Sequence, residues 1–573
     1  MRKLAYEFGK QLRPDQGAFE SLHEALDLNG FGGTCKTDAV APTEADLAGH
    51  QDFGAVRTDT TIPEGALFVS PDGDDSADGT RDAPLQSIQL ACDRAALLDL
   101  ANKVVVLRQG SHYIADTIML GPQHSDLHMM SHPGEKATVS GGKELKVTWK
   151  KATMDREDLA DSNIWVADVS GQVTKVPGLQ LDGKRATRAR FPNVPGGIEN
   201  SCGYGCMVAS RAAKWTPPDF NKFGQVTYYT DNQTKTARHD TPSNWFQHYS
   251  VGVNGLCSVY TPPVSYWCSE HTAGGGAFAF RTPIGITPQK GALPHAPYKS
   301  VKQAQLFVWR PARWANWMFE VGDYDKASGN MSFGYGGFQG ARGSNSGGDW
   351  FIENVMEELD NPGEFFFDES TSKLYLFHNG TGAPPASATV VAPQKQVLLN
   401  VSGTQWDPVK NTKHTGITFS ASAYTYMMPH GVPSAGDWAL DRYGAIYLQG
   451  TESVVIDGCT LERIDGNGVM VSGYNRNATI QHTEFAYVGG NAIAAWGFTN
   501  ETATDPARPG VEIMNHPQAG VDGTDGEHPR YTTVTSNIAR EVGLYEKQSS
   551  FFVQAKTAQS IINGNVFFNG PRA

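Results

Sequence analysis

The sequence is poor in charged residues and has no long apolar run. Charged residues make up only 19% of the chain and the formal net charge is −13, so the phosphate backbone of a nucleic acid is an unfavourable partner. No segment has the length and apolar character needed to span a membrane. Residues 1–50 also lack the apolar run of a signal peptide. We therefore expect neither a nucleic-acid-binding protein nor a membrane protein.

Sequence motifs for several kinds of chemistry are also missing. There is no phosphate-binding glycine loop, no serine nucleophile elbow and no haem motif. The seven cysteines include no CxxC pair, which argues against structural zinc. Four of them fall between residues 202 and 268, where we expect one or two disulfides. These cysteines and six Asn-x-Ser/Thr sequons favour a secreted protein, although no signal peptide is visible. No cofactor is expected.

A repeat near the C-terminus is the strongest positive signal. The stretches Gly444–Tyr447, Gly468–Val471 and Ala492–Ala495 begin 24 positions apart. The same spacing separates three further apolar pairs, Ile456 and Ile480, Leu461 and Phe485, and Ile464 and Val488. Short apolar strands repeating at this period, broken by Gly, Asn and Asp, predict an all-β right-handed parallel β-helix, the pectin-lyase-like solenoid. Equivalent residues then stack about 4.8 Å apart.

The repeat pattern divides the chain into four parts. We predict a polar leader over residues 1–65 with a short helix at Ala18–Leu28, and a cap with the first solenoid turns over 66–145. A helix over Ser87–Leu100 would cover the open end of the first turn. The repeat is absent from residues 146–385, which we predict to form a large inserted β-rich region. Residues 386–573 resume the turns and stop without a terminal cap, so we expect the C-terminal end to be truncated.

Several long motifs resemble one family of carbohydrate-active proteins. The motifs are Leu67–Asp75, Leu181–Asn193, Glu353–Asp368 with Leu374–Leu376, and the repeats from Ala445 onward. Together and in this order they resemble glycoside hydrolase family 141, which includes α-L-fucosidases and xylanases acting on plant cell-wall glycans. The resemblance implies a right-handed β-helix glycoside hydrolase. It also implies further turns with Asp-containing motifs beyond the end of this chain, where part of the acid pair is expected.

Asp441 and Asp465 are the first catalytic candidates. They lie 24 positions apart and share the frame Asp-x-x-Gly, so the repeat predicts that they stack. Glycoside hydrolysis uses two carboxyl groups, about 5 to 5.5 Å apart for retention or about 6.5 to 9.5 Å apart for inversion. Two carboxylates this close would share a proton, giving an acid beside a base. The alternative is that both are turn residues bonding to the local backbone.

A second group of candidates lies on the following turns. We expect Asp525 and Glu546 to be catalytic, and five residues to bind substrate: Trp496, Asp522, Lys547, Gln554 and Lys556. For Asp522 and Asp525 there are two alternative interpretations: they form Asx turns, or their carboxylates belong to a calcium site. Glu546 and Lys547, predicted to lie in a loop at the edge of the ladder, have the alternative of a surface ion pair. Trp496 could stack on a sugar ring or be a core residue, and the run Trp309–Trp317 could form a binding wall or an anchor for the inserted region.

Taken together, these features favour a secreted glycoside hydrolase that cleaves complex plant or algal cell-wall polysaccharide with two carboxylates. We expect a monomer with a polysaccharide partner. One alternative is a polysaccharide lyase on uronic-acid polymers, with calcium and with Lys547, Lys556 or Arg572 as the base. The other alternative is a non-catalytic β-helix that binds glycan or serves as a structural module.

Overall fold

The computed structural model of the chain describes residues 61–98, 103–193, 226–230, 283–288, 293–309, 316–327, 329, 331–336, 350–427, 430–431, 440–497, 504–505, 508–512 and 528–571. The predicted leader helix, the four cysteines between residues 202 and 268, and the candidates Asp522 and Asp525 lie outside these ranges. Everything that follows concerns the described residues.

The chain forms short strands almost throughout. The first part contains β1 (Leu67–Val69), α1 (Ile88–Ala96), β2 (Lys103–Leu107), β3 (Gly110–Tyr113), β4 (Ile118–Leu120), β5 (Leu127–Ser131), β6 (Ala137–Ser140) and β7 (Gly142–Glu144). The middle part contains β8 (Lys150–Lys151), β9 (Ile164–Asp168), β10 (Leu179–Leu181), β11 (Lys184–Arg188), β12 (Arg190–Phe191), β13 (Val226–Thr230), β14 (Pro283–Pro288), β15 (Gln305–Trp309), β16 (Asn316–Tyr324), β17 (Met331–Gly336), β18 (Trp350–Glu353), β19 (Glu364–Asp368), β20 (Lys373–Phe377) and β21 (Val390–Pro393).

The last part continues with strands that recur in sets of three. These are β22 (Leu399–Ser402), β23 (Val409–Lys410), β24 (Lys413–Thr415), β25 (Thr418–Ser420), β26 (His430–Gly431), β27 (Leu440–Asp441), β28 (Ile446–Glu452), β29 (Val455–Asp457), β30 (Thr460–Glu462), β31 (Val469–Arg476), β32 (Thr479–Gln481), β33 (Glu484–Val488), β34 (Ile493–Trp496), β35 (Thr504–Asp505), β36 (Arg508–Glu512), β37 (Pro529–Arg530), β38 (Thr533–Thr535), β39 (Ile538–Val542), β40 (Phe552–Ala555), β41 (Ile561–Asn563) and β42 (Val566–Phe568). Short 3-10 turns occupy Pro122–His124, Glu157–Leu159 and Met356–Glu358.

Three parallel sheets wind into a β-helix, which confirms the predicted fold class. Sheet A runs β1-β2-β5-β24-β29-β32-β38-β41, and sheet B runs β3-β6-β25-β30-β33-β39-β42. Sheet C runs β4-β22-β28-β31-β34-β40, with β23 and β37 at its side. Successive coils place one strand in each sheet, so side chains far apart in sequence become ladder neighbours.

The repeat predicts the register of sheets A and B correctly. Ile456 lies opposite Ile480, and Leu461 lies opposite Phe485. Their neighbours extend the same rows along the coil, and all of these side chains are buried in one continuous core. Removing each large apolar side chain from water stabilises the fold by about 1.5–3 kcal/mol. The stacked rows therefore fix the register of the whole solenoid, since a slip of one residue would expose them.

Each coil from β24 onward turns at three corners through a residue with positive φ. The corner between sheets A and B uses Gly416, Gly458, His482, Ser536 and Gly564; the corner after sheet B uses Ala421, Arg463, Tyr487, Glu541 and Asn569; the corner before sheet A uses Asn411, Ser453, Asn477, Tyr531 and Gln559. Glycine adopts this left-handed conformation without the steric cost of a Cβ atom. The corners recur at equivalent positions although the coils contain different numbers of residues, because the extra residues form loops between the strands.

Sheet C departs from the predicted 24-residue frame. Ile446 lies opposite Val469, not Met470, and the frame returns only after an irregularity that brings Thr451 opposite Asn475. The prediction that Gly444–Tyr447 stacks on Gly468–Val471 at the same spacing is therefore wrong by one residue. The next pair, Val469 opposite Ile493, does keep the spacing.

Helix α1 covers the first coil. The predicted helix over Ser87–Leu100 is observed as Ile88–Ala96, and its buried residues Ile88, Ala91, Cys92 and Ala95 join the core of the solenoid. It spans nine residues. Within the described ranges no helix is long and apolar enough to cross a membrane.

The segment between the first coils and the later ones forms two sheets of its own. One runs β7-β21-β10-β11-β19-β20-β9-β8, and the other runs β12-β18-β15-β16-β17-β14-β13. Most of their pairs are antiparallel, and each sheet carries a separate apolar cluster. Because the chain leaves sheet B after β6 and enters sheet C at β22, this inserted region emerges from the corner between those two sheets.

Prediction: acid removes stability through His414. Its ring is buried in the core beside Met129 and Ile456, and neither ring nitrogen has a hydrogen-bond partner among the described residues. Burial lowers the pKa of His414 from 6.5 to about 3. The folded state thus holds a neutral ring while the unfolded chain takes up a proton below pH 6.5, so stability falls as the pH falls. Between pH 7 and pH 5 this linkage costs about 2 kcal/mol.

The measurement is denaturant unfolding of the wild type and of His414→Leu at both pH values. The variant should lose about 2 kcal/mol less than the wild type on acidification. An equal loss in the two proteins would contradict the account.

Candidate active site

The corner that links sheet B to sheet C gathers most of the candidate residues. We call it the B–C corner; its segments are residues 114–117, 141–398, 421–445, 463–468, 489–492 and 543–551. Parallel stacking aligns these segments along one edge of the solenoid. The inserted region grows from the same edge, so its side chains can reach those of neighbouring coils.

Asp465 lies in this corner between β30 and β31. Its carboxylate is 1% exposed, and its Oδ1 accepts hydrogen bonds from Nε and Nη2 of Arg185 at 3.0 and 2.6 Å. Arg185 belongs to strand β11 of the inserted region. The guanidinium stabilises the ionised carboxylate, because charge-assisted bonds of this kind favour the charged form.

Gly178 lets the inserted region approach Asp465 closely. A Cβ atom at position 178 would lie 2.6 Å from Oδ2 of Asp465, well inside van der Waals contact. The absence of a side chain at this position therefore sets how near the insertion sits to the coil.

Asp441 lies in β27, which pairs antiparallel with β26. Its carboxylate is 1% exposed, and Oδ1 accepts a hydrogen bond of 2.7 Å from Nδ2 of Asn467. Asn467 is two residues beyond Asp465, so its amide ties Asp441 to the segment that carries Asp465. Oδ1 of Asn467 accepts from the backbone N–H and Nδ2 of Asn491 on the next coil, which holds the amide in place.

The predicted one-above-the-other stacking of Asp441 on Asp465 does not follow from the observed ladder. The backbone N–H of Ala445 bonds to the carbonyl of Asn467, an offset of one residue from the 24-residue frame. Asp441 belongs to a hairpin that lies outside the parallel sheets, since a turn of the coil has lengthened here. The two carboxylates nevertheless meet at one corner.

A fully buried ion pair lies beside them. Nε and Nη2 of Arg188 donate to Oε1 of Glu353 at 2.9 and 2.6 Å, and both side chains are inaccessible to solvent. Glu353 ends strand β18, so the pair joins the two inserted sheets. Nη2 of Arg188 also contacts the hydroxyl of Tyr426 in the next coil segment.

Three tyrosines surround this pair from the coil side. Tyr424 and Tyr426 stack with ring centroids 4.4 Å apart, and Tyr426 lies 5.5 Å from Tyr545. The guanidinium of Arg188 lies 4.9 Å from the ring centroid of Tyr545, a favourable cation–π geometry. Burial raises the pKa of Tyr545 above its ordinary value, so its hydroxyl stays protonated and can donate a hydrogen bond.

Lys547 and Glu546 are buried, each about 2% exposed. The alternative of a surface ion pair is therefore wrong. Nζ of Lys547 donates to the carbonyls of Gly543 and Leu544 at 3.0 and 2.7 Å. Burial, reinforced by the positive charge of Arg190, lowers the pKa of Lys547 to about 7. A large fraction of this lysine is thus neutral at neutral pH.

The 24-residue frame, carried forward past the Glu546–Lys547 loop, predicts that Ser550–Val553 aligns with Ala492–Ala495; the observed alignment is shifted by one residue. Phe552, not Phe551, lies opposite Ile493. The predicted position of Glu546 and Lys547 ahead of the strand is nevertheless correct, since β40 begins at Phe552.

Trp496 lies on the outer face of sheet C. It packs with Leu440, Met470 and Ala494, outside the core of the solenoid. The guanidinium of Arg442 lies 3.8 Å from its ring centroid, and the tryptophan is only 4% exposed. Its Nε1 has no hydrogen-bond partner among the described residues. One ring face is therefore covered by Arg442, and a sugar would have to approach elsewhere on the indole.

The remaining candidates lie at the end of β40. Gln554 is exposed and its Oε1 accepts a hydrogen bond of 3.0 Å from Thr557. Lys556 is half-buried and adopts positive φ just beyond the strand. Both follow Lys547 on sheet C, on the side of the strand away from the B–C corner.

Reasoning from the sequence missed the arginines and tyrosines of the site. Arg185, Arg188 and Glu353 lie within the motifs that carry the family resemblance, but no spacing tied them to the repeat. Three arginines between residues 185 and 190 make strands β11 and β12 unusually basic. This local density of arginine was the sequence signal that could have identified these site residues.

The inserted region also holds a compact group of potential metal ligands. His295, Glu358 and Asp360 lie within ligand distance of one another. Nδ1 of His295 contacts Oε2 of Glu358 at 2.7 Å, and Tyr298 donates to the other oxygen at 2.5 Å. Arg156 lies 3.4 Å from Asp360. These contacts form a hydrogen-bond and ion-pair network among side chains of the inserted region.

Comparison with known proteins supports the fold. No protein-family profile matches the chain. A solved structure described as a glycoside hydrolase aligns with a TM-score of 0.55 at 16% identity, covering 86% of this chain and 75% of its own. At this identity the likeness shows a shared fold.

Two curated proteins match over shorter stretches. A pectate lyase of Emericella nidulans, PEL9, is 38% identical over 78 residues, and the uncharacterized protein YwoF of Bacillus subtilis is 25% identical over 145 residues. The matches cover 13% and 24% of this chain. The chain spans only 18% and 30% of the lengths of these relatives.

Prediction: the buried Arg188–Glu353 pair holds the inserted region together. Arg188→Met would leave the Glu353 carboxylate buried without its cation, which destabilises by about 3–5 kcal/mol. Lys146→Met removes an exposed pair with Glu144 and should change stability by less than about 1 kcal/mol. Denaturant unfolding of both variants measures the difference. Similar small losses in the two would show that the buried pair contributes no more than a surface one.

Proposed function

We propose that this chain is a secreted glycoside hydrolase that cleaves complex plant or algal cell-wall polysaccharide. The observation that carries the proposal is that Asp441 and Asp465 are two buried carboxylates on neighbouring segments of the B–C corner, with Asp441 bonded to Asn467, two residues beyond Asp465. Glycosidic hydrolysis uses two carboxyl groups that flank the scissile bond.

The contacts of the two carboxylates suggest a division of roles. Arg185 donates two charge-assisted hydrogen bonds to Asp465, so Asp465 suits the nucleophile or general base. Asp441 bonds to a neutral amide and suits the general acid that protonates the leaving oxygen. Asp525 and Glu546 are retained as further candidates for the acid. Trp496, Asp522, Lys547, Gln554 and Lys556 are retained as substrate-binding residues.

The comparisons are consistent with a carbohydrate substrate. The structural neighbour carries the description glycoside hydrolase and one partial relative is named a pectate lyase. Both descriptions belong to proteins that act on glycans. The motifs that resemble glycoside hydrolase family 141 contribute Arg185, Arg188 and Glu353 to the site, which ties the resemblance to this corner.

Prediction: Asp465→Asn and Asp441→Asn each lower hydrolysis by about 100-fold or more, because each removes one partner of the acid–base pair. The assay is release of reducing ends from xylan and from fucosylated cell-wall polysaccharide. Asp407→Asn is the matched control, since Asp407 is exposed in a turn after β22. Thermal unfolding checks that all three variants stay folded.

Two outcomes would contradict this assignment. Full activity in either folded variant would remove that carboxylate from the mechanism. Tight binding of a polysaccharide by the wild type without bond cleavage would favour a non-catalytic glycan-binding protein.

A polysaccharide lyase is the second candidate, and Lys547 favours it. Elimination across a uronic acid needs a base that removes the proton next to the carboxylate, and cations that neutralise that carboxylate. A lysine whose pKa is lowered to about 7 can serve as that base. Arg190 supplies positive charge near Lys547, while Arg185 and Arg188 are already paired with Asp465 and Glu353. The partial match to a pectate lyase points in the same direction.

Prediction: if the chain is a lyase, cleavage of polygalacturonate rises as the pH passes through about 7, because Lys547 loses its proton there. The products then carry unsaturated ends that absorb in the ultraviolet. Lys547→Met would abolish this signal, while Lys150→Met, a change of an exposed lysine in β8, would not. Reducing ends without ultraviolet absorbance would exclude the lyase and leave the hydrolase.

A further inference from the structure

A wide cleft opens on the first coil, away from the two carboxylates. It encloses about 870 Å³ between the N-terminal residues of α1, strand β3 and the segment that joins β3 to β4. Its size is in the range of pockets that bind small ligands. Its walls mix polar and apolar side chains, and the polar ones include Gln86, Ser111, Tyr113, Asp116 and Glu144.

The charges around the cleft balance. Asp116 pairs with Nζ of Lys395 at 3.1 Å, and Glu144 pairs with Lys146. The cleft therefore offers carboxylate oxygens as hydrogen-bond acceptors without a net negative field. This suits an uncharged ligand rich in hydroxyl groups better than an anion or a cation.

Tyr113 supplies an aromatic surface at the mouth of the cleft. It is 37% exposed, one of the few large hydrophobic side chains in the described ranges that reach solvent. Aromatic faces pack well against the apolar C–H surface of a sugar ring while the hydroxyl group stays in water.

We propose that this cleft is a glycan-anchoring site that binds a neutral polysaccharide chain, with a sugar ring packed on Tyr113. The segment that joins β3 to β4 belongs to the B–C corner, the same edge that carries Asp441 and Asp465. A polymer bound here would lie on the edge where cleavage is proposed. The inference rests on the proposed function only in naming a polysaccharide as the ligand.

The test is binding of short neutral xylan, glucan, mannan and galactan oligosaccharides by titration calorimetry, with an oligogalacturonate as the charged probe. The wild type should bind at least one neutral probe better than the charged one. Tyr113→Ala should weaken that binding by about ten-fold or more, and Tyr113→Phe should retain it. Tyr531→Ala is the matched control because Tyr531 is 43% exposed on another face of the coil.

Bond cleavage is measured separately on soluble substrates, so the anchoring site and the proposed reaction can fail independently. Loss of binding in Tyr113→Ala with unchanged cleavage of a short substrate supports the anchoring site. Equal binding by wild type and Tyr113→Ala, or no neutral probe bound at all, would overturn it whatever the cleavage assay shows. Preference for the oligogalacturonate would overturn it as well.

Discussion

The parallel register of the buried rows is the constraint on which the rest of the structure depends. Ile456 on Ile480 and Leu461 on Phe485 lock neighbouring coils so that every corner recurs above the previous one. From β24 onward a single residue with positive φ turns the backbone at each corner, and segments of very different length loop out between the strands. One corner therefore carries a short turn in one coil and an entire inserted region in another, while the core stays continuous.

That arrangement explains how charged groups are buried at the B–C corner. The insertion returns its own arginines to the coil: Arg185 reaches Asp465, and Arg188 bridges Glu353 to Tyr426. Isolated buried charges would be prohibitive, but each here has a partner of opposite sign or a dipole. Burial also strengthens the electrostatic effect of each group on its neighbours, as the lowered pKa of Lys547 illustrates. The side chains at this corner are therefore held in place by two parts of the fold, the solenoid coils and the inserted sheets.

The sequence predicted the solenoid because its apolar rows repeat locally. In sheet C the predicted register was wrong by one residue before Thr451, and an irregularity in β28 restores the 24-residue spacing there. Asp441 and Asp465 were selected through an apparent 24-residue frame; in the structure both belong to the B–C corner, and Asn467 links the Asp441 hairpin to the segment that carries Asp465. Arg188 and Glu353 are separated by a long non-repeating stretch, and no periodicity encodes their contact. The burial of Lys547 was likewise invisible, because it depends on the facing inserted strands.

The central claim is that Asp441 and Asp465 act on the same glycosidic bond. A crystal structure of an Asp465→Asn variant soaked with a cell-wall oligosaccharide tests it most directly. The account predicts a sugar whose glycosidic oxygen lies within hydrogen-bond distance of the Asp441 carboxylate and whose anomeric carbon faces position 465. An oligosaccharide bound in register on another face of the solenoid, with neither position touching the bond, would contradict it.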